Sequence, residues 1–231
     1  MNPDAERIRE KLESTRLEIA RHATEFGREP TGISLLAVSK TKPAELVLAA
    51  LDAGQSSFGE NYLQDALPKI ESLDGNGIEW HFIGAIQSNK TRDIAAHFDW
   101  VQTVDRAKII RRLDEQRGDE LPPLNVLLQV NVDDESQKAG ASPEEIDPLA
   151  DAVAESPRLR LRGLMAIPQH SDDFETQRTS FRRLRDCFES LRERHPEIDT
   201  LSMGMSGDMR AAIAEGSTML RIGTAIFGPR D

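Results

Sequence analysis

Lys40 closes the apolar run Ile33-Ser-Leu-Leu-Ala-Val-Ser39 and shares parity with Leu36 and Val38. In an extended strand those side chains share one face, so Lys40 projects either into the space they line or against its wall. A lysine held partly out of water has a depressed pKa and offers a neutral amine that can attack an aldehyde. The alternative is a strand-terminal lysine that simply reaches solvent. Near the other end of the chain, Leu201-Ser-Met-Gly-Met-Ser206-Gly-Asp208 and Gly216-Ser-Thr-Met-Leu-Arg221-Ile-Gly223-Thr224-Ala-Ile-Phe-Gly228 put small residues at the ends of two apolar runs. Bare amides there can approach phosphate oxygens closely, and nearby helix N-termini add partial positive charge. Taken singly, each glycine serves equally well as a turn or a packing residue. Arg221 is harder to dismiss. It shares parity with Met219 and Gly223 in a run otherwise short of polarity, and a buried guanidinium requires an acceptor or an anion.

Other chemistries find less support. Neither G-x-G-x-x-G nor G-x-x-x-x-G-K-[ST] occurs, and Gly204-Met-Ser-Gly207 falls one residue short of a nucleophile elbow. The histidines lack H-x-H or H-E-x-x-H spacing, which argues against a metal site. His81, inside an apolar run, reads as a satisfied structural histidine. The single cysteine, Cys187, excludes an intramolecular disulfide or a cysteine cluster and reads as a small buried hydrophobe. Lys90 and Lys138 are rival amines, though neither closes so apolar a strand.

These residues need a scaffold that brings strand ends together. Eight apolar runs read as strands: Ile33–Ser39, Gln55–Glu60, Glu79–Ile86, Trp100–Val104, Asn125–Asn131, Leu159–Ile167, Leu201–Ser206 and Met219–Phe227. Amphipathic helical stretches separate them, the clearest from Phe174 to Arg194, whose arginines read as a solvated face. Ser142-Pro143-Glu144-Glu145 is a helix start with an N-cap, a proline and a negative first turn. An extra helix at about 4–26 precedes the first strand, with Ile8, Leu12, Ile19, Ala23 and Phe26 on one face. Parallel strands alternating with helices, in a chain of 231 residues, favour an α/β fold: a single (β/α)8 TIM-type barrel, with an open doubly wound sheet as the alternative. No linker or repeat interrupts it, so residues 1–231 read as one domain. In such a barrel, function sits at the C-terminal ends of the strands, which adds Asn61 and Tyr62 to the candidates. Asn61 serves as a ligand contact or a turn residue, and Tyr62 is expected to pack, the alternative being a group that lines the mouth.

An amine, a phosphate cradle and an arginine beside a ring-sized gap together suggest pyridoxal 5′-phosphate (PLP). The chain resembles the pyridoxal phosphate homeostasis proteins, whose fold is similar to the barrel domain of alanine racemase. The matching segments are Leu36-Ala-Val-Ser-Lys40, Phe58-Gly-Glu-Asn-Tyr62, Trp80-His-Phe-Ile-Gly84 with Gln87-Ser-Asn-Lys90, Gln129-Val-Asn131 with Lys138-Ala-Gly140, Gly163-Leu-Met165, Leu201-Ser-Met-Gly-Met-Ser206 and Arg221-Ile-Gly-Thr-Ala-Ile-Phe-Gly228. Residues between them, Gly207 among them, look individual. The resemblance implies that Lys40 holds PLP as a Schiff base, that Ser206 and the amides of Gly223 and Thr224 bind its phosphate, and that Arg221 faces the pyridine nitrogen. A cation there disfavours ring protonation and makes the ring a poorer electron sink.

The expected role is therefore PLP buffering or supply to apo-enzymes without substrate turnover, the alternative being a racemase-like enzyme. A racemase needs an acid/base on each face of the α-carbon, and the chain ends four residues past Phe227, before the extra β-domain that carries one of them in racemases. Lys and Arg total 29 against 40 Asp and Glu, a net charge of −11, which argues against nucleic-acid or anionic-membrane partners. With no leader-like segment and no run approaching ~20 apolar residues, a cytoplasmic monomer is expected.

Overall fold

The computed structural model describes residues 3–133 and 139–229. Eight parallel strands close on themselves in chain order: β1 (Ser34–Val38), β2 (Ser57–Glu60), β3 (Glu79–Phe82), β4 (Trp100–Val104), β5 (Leu124–Gln129), β6 (Leu159–Met165), β7 (Thr200–Ser202) and β8 (Met219–Ile222). The seam is the β1/β8 pair, in register from Ser34–Met219 to Ala37–Ile222, with Leu36 opposite Arg221. Helices α1 (Pro3–Glu25), α2 (Ala44–Asp52), α3 (Leu63–Ser72), α4 (Thr91–His97), α5 (Ala107–Gln116), α6 (Pro143–Ala154), α7 (Phe174–Arg194), α8 (Met209–Ala214) and α9 (Thr224–Phe227) surround the barrel. The result is the expected (β/α)8 architecture.

Strand parity sorts the side chains into two cores. Ala37, Phe58, Val101, Val126, Leu128, Leu164, Leu220 and Ile222 join the shell between sheet and helices. Trp100, Leu127 and Met165 form a separate apolar cluster inside the barrel. The helix after β8 is only four residues long, too short to cover the seam. The N-terminal α1 packs beside α2, α8 and α9 and fills that gap, burying Ile8, Leu12, Ile19 and Ala23. On α7, Phe181, Leu184, Phe188 and Leu191 are buried, each worth roughly 1.5–3 kcal/mol. Gly163 tolerates no side chain: its φ is +143° and a Cβ would lie 2.0 Å from the Thr200 carbonyl oxygen, where β6 meets β7.

Several strands stop earlier than the apolar runs predict. β8 ends at Ile222 rather than Phe227, because Gly223 turns the chain (φ −116°, ψ −72°) into α9, which buries Ile226 and Phe227 by a helical period instead. β7 ends at Ser202 rather than Ser206, the chain leaving the sheet through Gly204 at φ +99°. β3 ends at Phe82 rather than Ile86.

The arginines of α7 are not simply a solvated face. Arg178, Arg182 and Arg185 converge on Glu215, which is 1% exposed, at 2.7, 3.0 and 2.7 Å, tying α7 to the α8–β8 turn. Cys187 is half-buried against the core, and burial lifts its thiol to about 11, which leaves it inert near neutrality.

The α6 start behaves as its sequence predicts. Ser142 and Glu145 form a capping box, with the Ser142 amide donating to Glu145 Oε2 at 2.9 Å. Ser142→Ala should lower stability by about 1 kcal/mol, read as a melting temperature ~2–4 °C lower by calorimetry.

Candidate functional site

At the C-terminal end of the barrel a cavity of ≈ 280 Å³ is lined by Lys40, Asn61, Ser206, Arg221, Gly223 and Thr224, all six residues singled out above. They come from the ends of β1, β2, β7 and β8, distant in sequence and joined only by closure of the sheet. Val38, Ile83, Ile167, Met205 and Phe227 supply the apolar wall. Ile167 and Met205 are exposed at its rim.

Lys40 is half-buried and opens a tight turn in which the Lys42 amide donates to the Ser39 carbonyl at 3.0 Å and Thr41 takes φ +64°. That left-handed threonine is a strained arrangement for a β-branched residue and fixes where the chain leaves β1. Three buried groups hold this turn from behind: the Lys69 ammonium contacts the Ser39 carbonyl (3.0 Å) and Glu60 Oε1 (2.6 Å), and the Ser39 hydroxyl donates to the same Glu60 oxygen (2.6 Å). Burial pushes the Glu60 carboxyl up, and Lys69 opposes it.

Arg221 is 4% exposed and has no ion-pair partner among the described residues. Its Nη1 donates to Ser202 Oγ (2.8 Å) and its Nη2 to the Ala166 carbonyl (2.9 Å), both neutral acceptors. Burial pulls the guanidinium down to about 10, with Asp208 opposing, so it stays a cation at neutral pH. The remaining N–H groups leave hydrogen-bonding capacity in a residue that lines the cavity. Asp208 is pushed up by burial and fixes the 205–208 loop by accepting the Met205 amide.

Backbone geometry explains the small residues. A Cβ on Gly223 would sit 3.2 Å from the Val38 carbonyl, whereas one on Gly207 would meet nothing within 4 Å. Gly207 therefore borders open space, in keeping with its place among the small residues that end the seventh apolar run. At Gly84 a Cβ would lie 2.0 Å from the Asn61 carbonyl oxygen, so the glycine lets Asn61 reach the cavity. Asn61 Oδ1 is buried without a partner among the described residues.

Other expectations fall out differently. Tyr62 does not pack: it is 53% exposed at the start of α3, outside the cavity lining. Lys90 ends the short helical turn Ser88–Lys90 and does not line the cavity. Lys138 lies outside the described residues. His81 is fully buried with both ring nitrogens hydrogen-bonded, as a structural histidine should be. Lys42 was overlooked in the sequence: it also lines the cavity and donates to the Pro229 carbonyl at 2.7 Å. No group of three or more metal-ligating side chains occurs among the described residues, and no helix there is long and apolar enough to cross a membrane.

Comparison with known proteins agrees with the architecture. The model of the alanine racemase N-terminal domain matches residues 18–231. The pyridoxal phosphate homeostasis protein of Escherichia coli K12 is 56% identical over 97% of both chains, and that of Pseudomonas aeruginosa 54% over 97% and 96%. Among solved structures, PipY of Synechococcus elongatus, determined with PLP bound, superposes with TM-score 0.82 at 34% identity, covering 96% of this chain and all of that one. Alanine racemase of Corynebacterium glutamicum is 16% identical at TM-score 0.70 and is spanned over 62% of its length, a likeness of fold alone. On reciprocal coverage and identity, the chain belongs to the pyridoxal phosphate homeostasis protein family, built on the alanine racemase N-terminal domain.

Proposed function

We propose that this protein binds PLP reversibly at the mouth of its barrel and serves intracellular PLP homeostasis, buffering the cofactor or supplying it to apo-enzymes without turning over a substrate. The observation that carries this reading is a cavity that brings together the Lys40 amine, a set of small residues and a buried cation. The residues fit the group: Gly207 leaves open space, Asn61 Oδ1 has no partner among the described residues, and Arg221 has donors beyond those it gives to two neutral acceptors. When bound, PLP supplies an aldehyde that an amine can take up with loss of one water and give back by the reverse reaction.

In this reading Lys40 provides that amine, on a turn pinned by Glu60 and Lys69. Ser206 and the amides of Gly223 and Thr224 hold the phosphate, the amides lying at the start of α9, where N–H groups have no intrahelical acceptor. Arg221 faces the ring nitrogen as a donor and cannot surrender its proton there, so the nitrogen stays unprotonated. A ring kept so is a weak electron sink. Asn61 contacts the cofactor beside the ring. Two features of the relatives support the carrier role: those above 50% identity are named homeostasis proteins, and the racemase likeness extends to fold only. We read residues 1–231 as one PLP-binding unit acting as a cytoplasmic monomer, a state that sedimentation at micromolar concentration tests directly.

Borohydride reduction after incubation with PLP should fix a phosphopyridoxyl group on the peptide carrying Lys40, read by peptide mass spectrometry. A label confined to Lys90 or Lys138 overturns the assignment of the amine, and protein that stays colourless overturns the reading.

A further inference from the structure

Behind Arg221 a line of buried polar side chains crosses the barrel interior. Arg221 Nη1 donates to Ser202 Oγ at 2.8 Å, and Ser202 Oγ donates to Gln102 Oε1 at 2.7 Å. Gln102 Nε2 meets His81 Nδ1 at 3.0 Å and Met219 Sδ at 3.2 Å, and His81 Nε2 meets Glu79 Oε1 at 2.9 Å. Ser202, Gln102 and His81 are each 0% exposed, while Glu79 is half-exposed at the start of β3, the end of the barrel opposite the cavity.

The direction of every bond follows from two facts: a guanidinium only donates, and the Ser202 hydroxyl hydrogen has Gln102 Oε1 as its one acceptor among the described residues. Ser202 Oγ therefore accepts from Arg221, and its own hydrogen goes to Gln102 Oε1. That orients the Gln102 amide with its NH₂ toward His81, so Nδ1 is the bare acceptor and Nε2 carries the proton given to Glu79. A second proton on His81 would set N–H against N–H at Nδ1. Turning the amide over would relieve that clash only by facing its NH₂ toward Ser202 Oγ, leaving the buried Ser202 hydroxyl hydrogen without the one acceptor it has among the described residues. Among the groups around the imidazole, Glu79 and Asp99 favour a charge and Arg162 opposes it. Trp100 stacks on the ring at 5.0 Å with the Arg162 guanidinium over the indole at 4.5 Å, and burial outweighs the carboxylates. Glu79 is correspondingly held low, at about 2, chiefly by the His81 hydrogen bond.

We infer that Gln102 and His81 are positioning residues for Arg221, fixing through Ser202 the place of the guanidinium that meets the PLP ring. The inference rests on the PLP-binding reading above. One arrangement of hydrogens satisfies every member of the network, and the guanidinium is the end that the ligand feels. Ser202 and Gln102 are 100 residues apart in sequence, and no local structural need of β4 or β7 calls for either polar side chain.

The test uses the whole protein in two measurements. In the unloaded wild type, nitrogen NMR of the histidines should show His81 neutral with its proton on Nε2 from pH 5.5 to 8; a proton on Nδ1, or titration within that range, overturns the network. With PLP as ligand, Gln102→Met and His81→Leu should each weaken binding about 3- to 10-fold, the weight of one lost buried hydrogen bond, and alter the absorption band of the bound cofactor. His81→Asn, whose side-chain oxygen can replace Nδ1 as acceptor, should stay within about 2-fold of wild type with its band restored. Folded variants with wild-type affinity and spectrum overturn the inference. Wild-type protein that takes up no PLP overturns the binding reading instead, while the NMR result still decides the network. Should a variant fail to fold, the same wild-type NMR measurement decides it.

Discussion

Lys69→Met should lower the unfolding free energy by about 3–5 kcal/mol at pH 8, a large share of the ~5–15 kcal/mol that holds a domain together. The reason lies in Glu60, which is fully buried, with Lys69 and the Ser39 hydroxyl both on Oε1 and no described partner on Oε2. Removing the ammonium leaves a carboxylate in an apolar shell with one hydroxyl for company. The cost has a sign in pH. Burial already raises Glu60 above its ordinary value of 4.5 with Lys69 pulling it back, so losing Lys69 raises it further. A carboxyl whose folded pKa is raised contributes its stability below the unfolded value and loses it as pH rises through the folded one. The deficit should therefore shrink from pH 8 to pH 5, as urea titrations at both values would show. A deficit under about 1 kcal/mol, or one equal at both pH values, would mean that the pair carries no such weight. Adding Glu60→Gln to the variant should recover part of the loss, because the charge is then gone from both sides.

The contrast between Lys40 and Lys69 shows what a sequence can disclose. Lys40 was legible because a charge at the end of an apolar alternating run has few harmless places to go, and closure of the sheet puts it in the cavity with Arg221. Lys69 sits in a helix of ordinary polarity, three residues before the end, where a surface role is the default; its burial to 6% depends on how α3 lies against β1 and β2. The same divide runs through the fold. β4 and α7 have the bounds their patterns predict, since Asp173 caps α7 by accepting the Thr176 amide and the apolar stripe ends with the helix. The end of β8 was misplaced because Ile226 and Phe227 are buried whether the chain continues as strand or turns into a helix, and hydrophobicity alone cannot tell the two apart. The Ser202–Gln102 pairing was invisible for another reason. Polar residues that satisfy each other across the barrel axis leave no periodic trace, and only three-dimensional proximity explains why Gln102 and Ser202 can be fully buried.

Lys40→Ala should abolish covalent retention of PLP and weaken its binding by at least about 100-fold, equivalent to roughly 2.8 kcal/mol. The phosphate and ring contacts proposed for Ser206, Gly223, Thr224 and Arg221 do not depend on the lysine, so weak, freely reversible binding should survive. Folding should be close to unchanged, since Lys40 is half-buried at a cavity mouth rather than in the core, and such substitutions usually shift stability by about 0.5 kcal/mol or less. This separates Lys40 from Lys69: one variant loses the ligand and keeps the fold, the other loses stability first. A small primary amine supplied in solution can enter the space the side chain leaves and react with the aldehyde in its place. Adding methylamine to Lys40→Ala with PLP should restore the absorbance of a bound C=N chromophore, whereas the same amine should displace PLP from the wild type. Equilibrium dialysis and visible spectroscopy measure both effects. If Lys40→Ala instead retains PLP through borohydride treatment as the wild type does, the amine lies elsewhere and the assignment of the β1 turn as the attachment point is wrong.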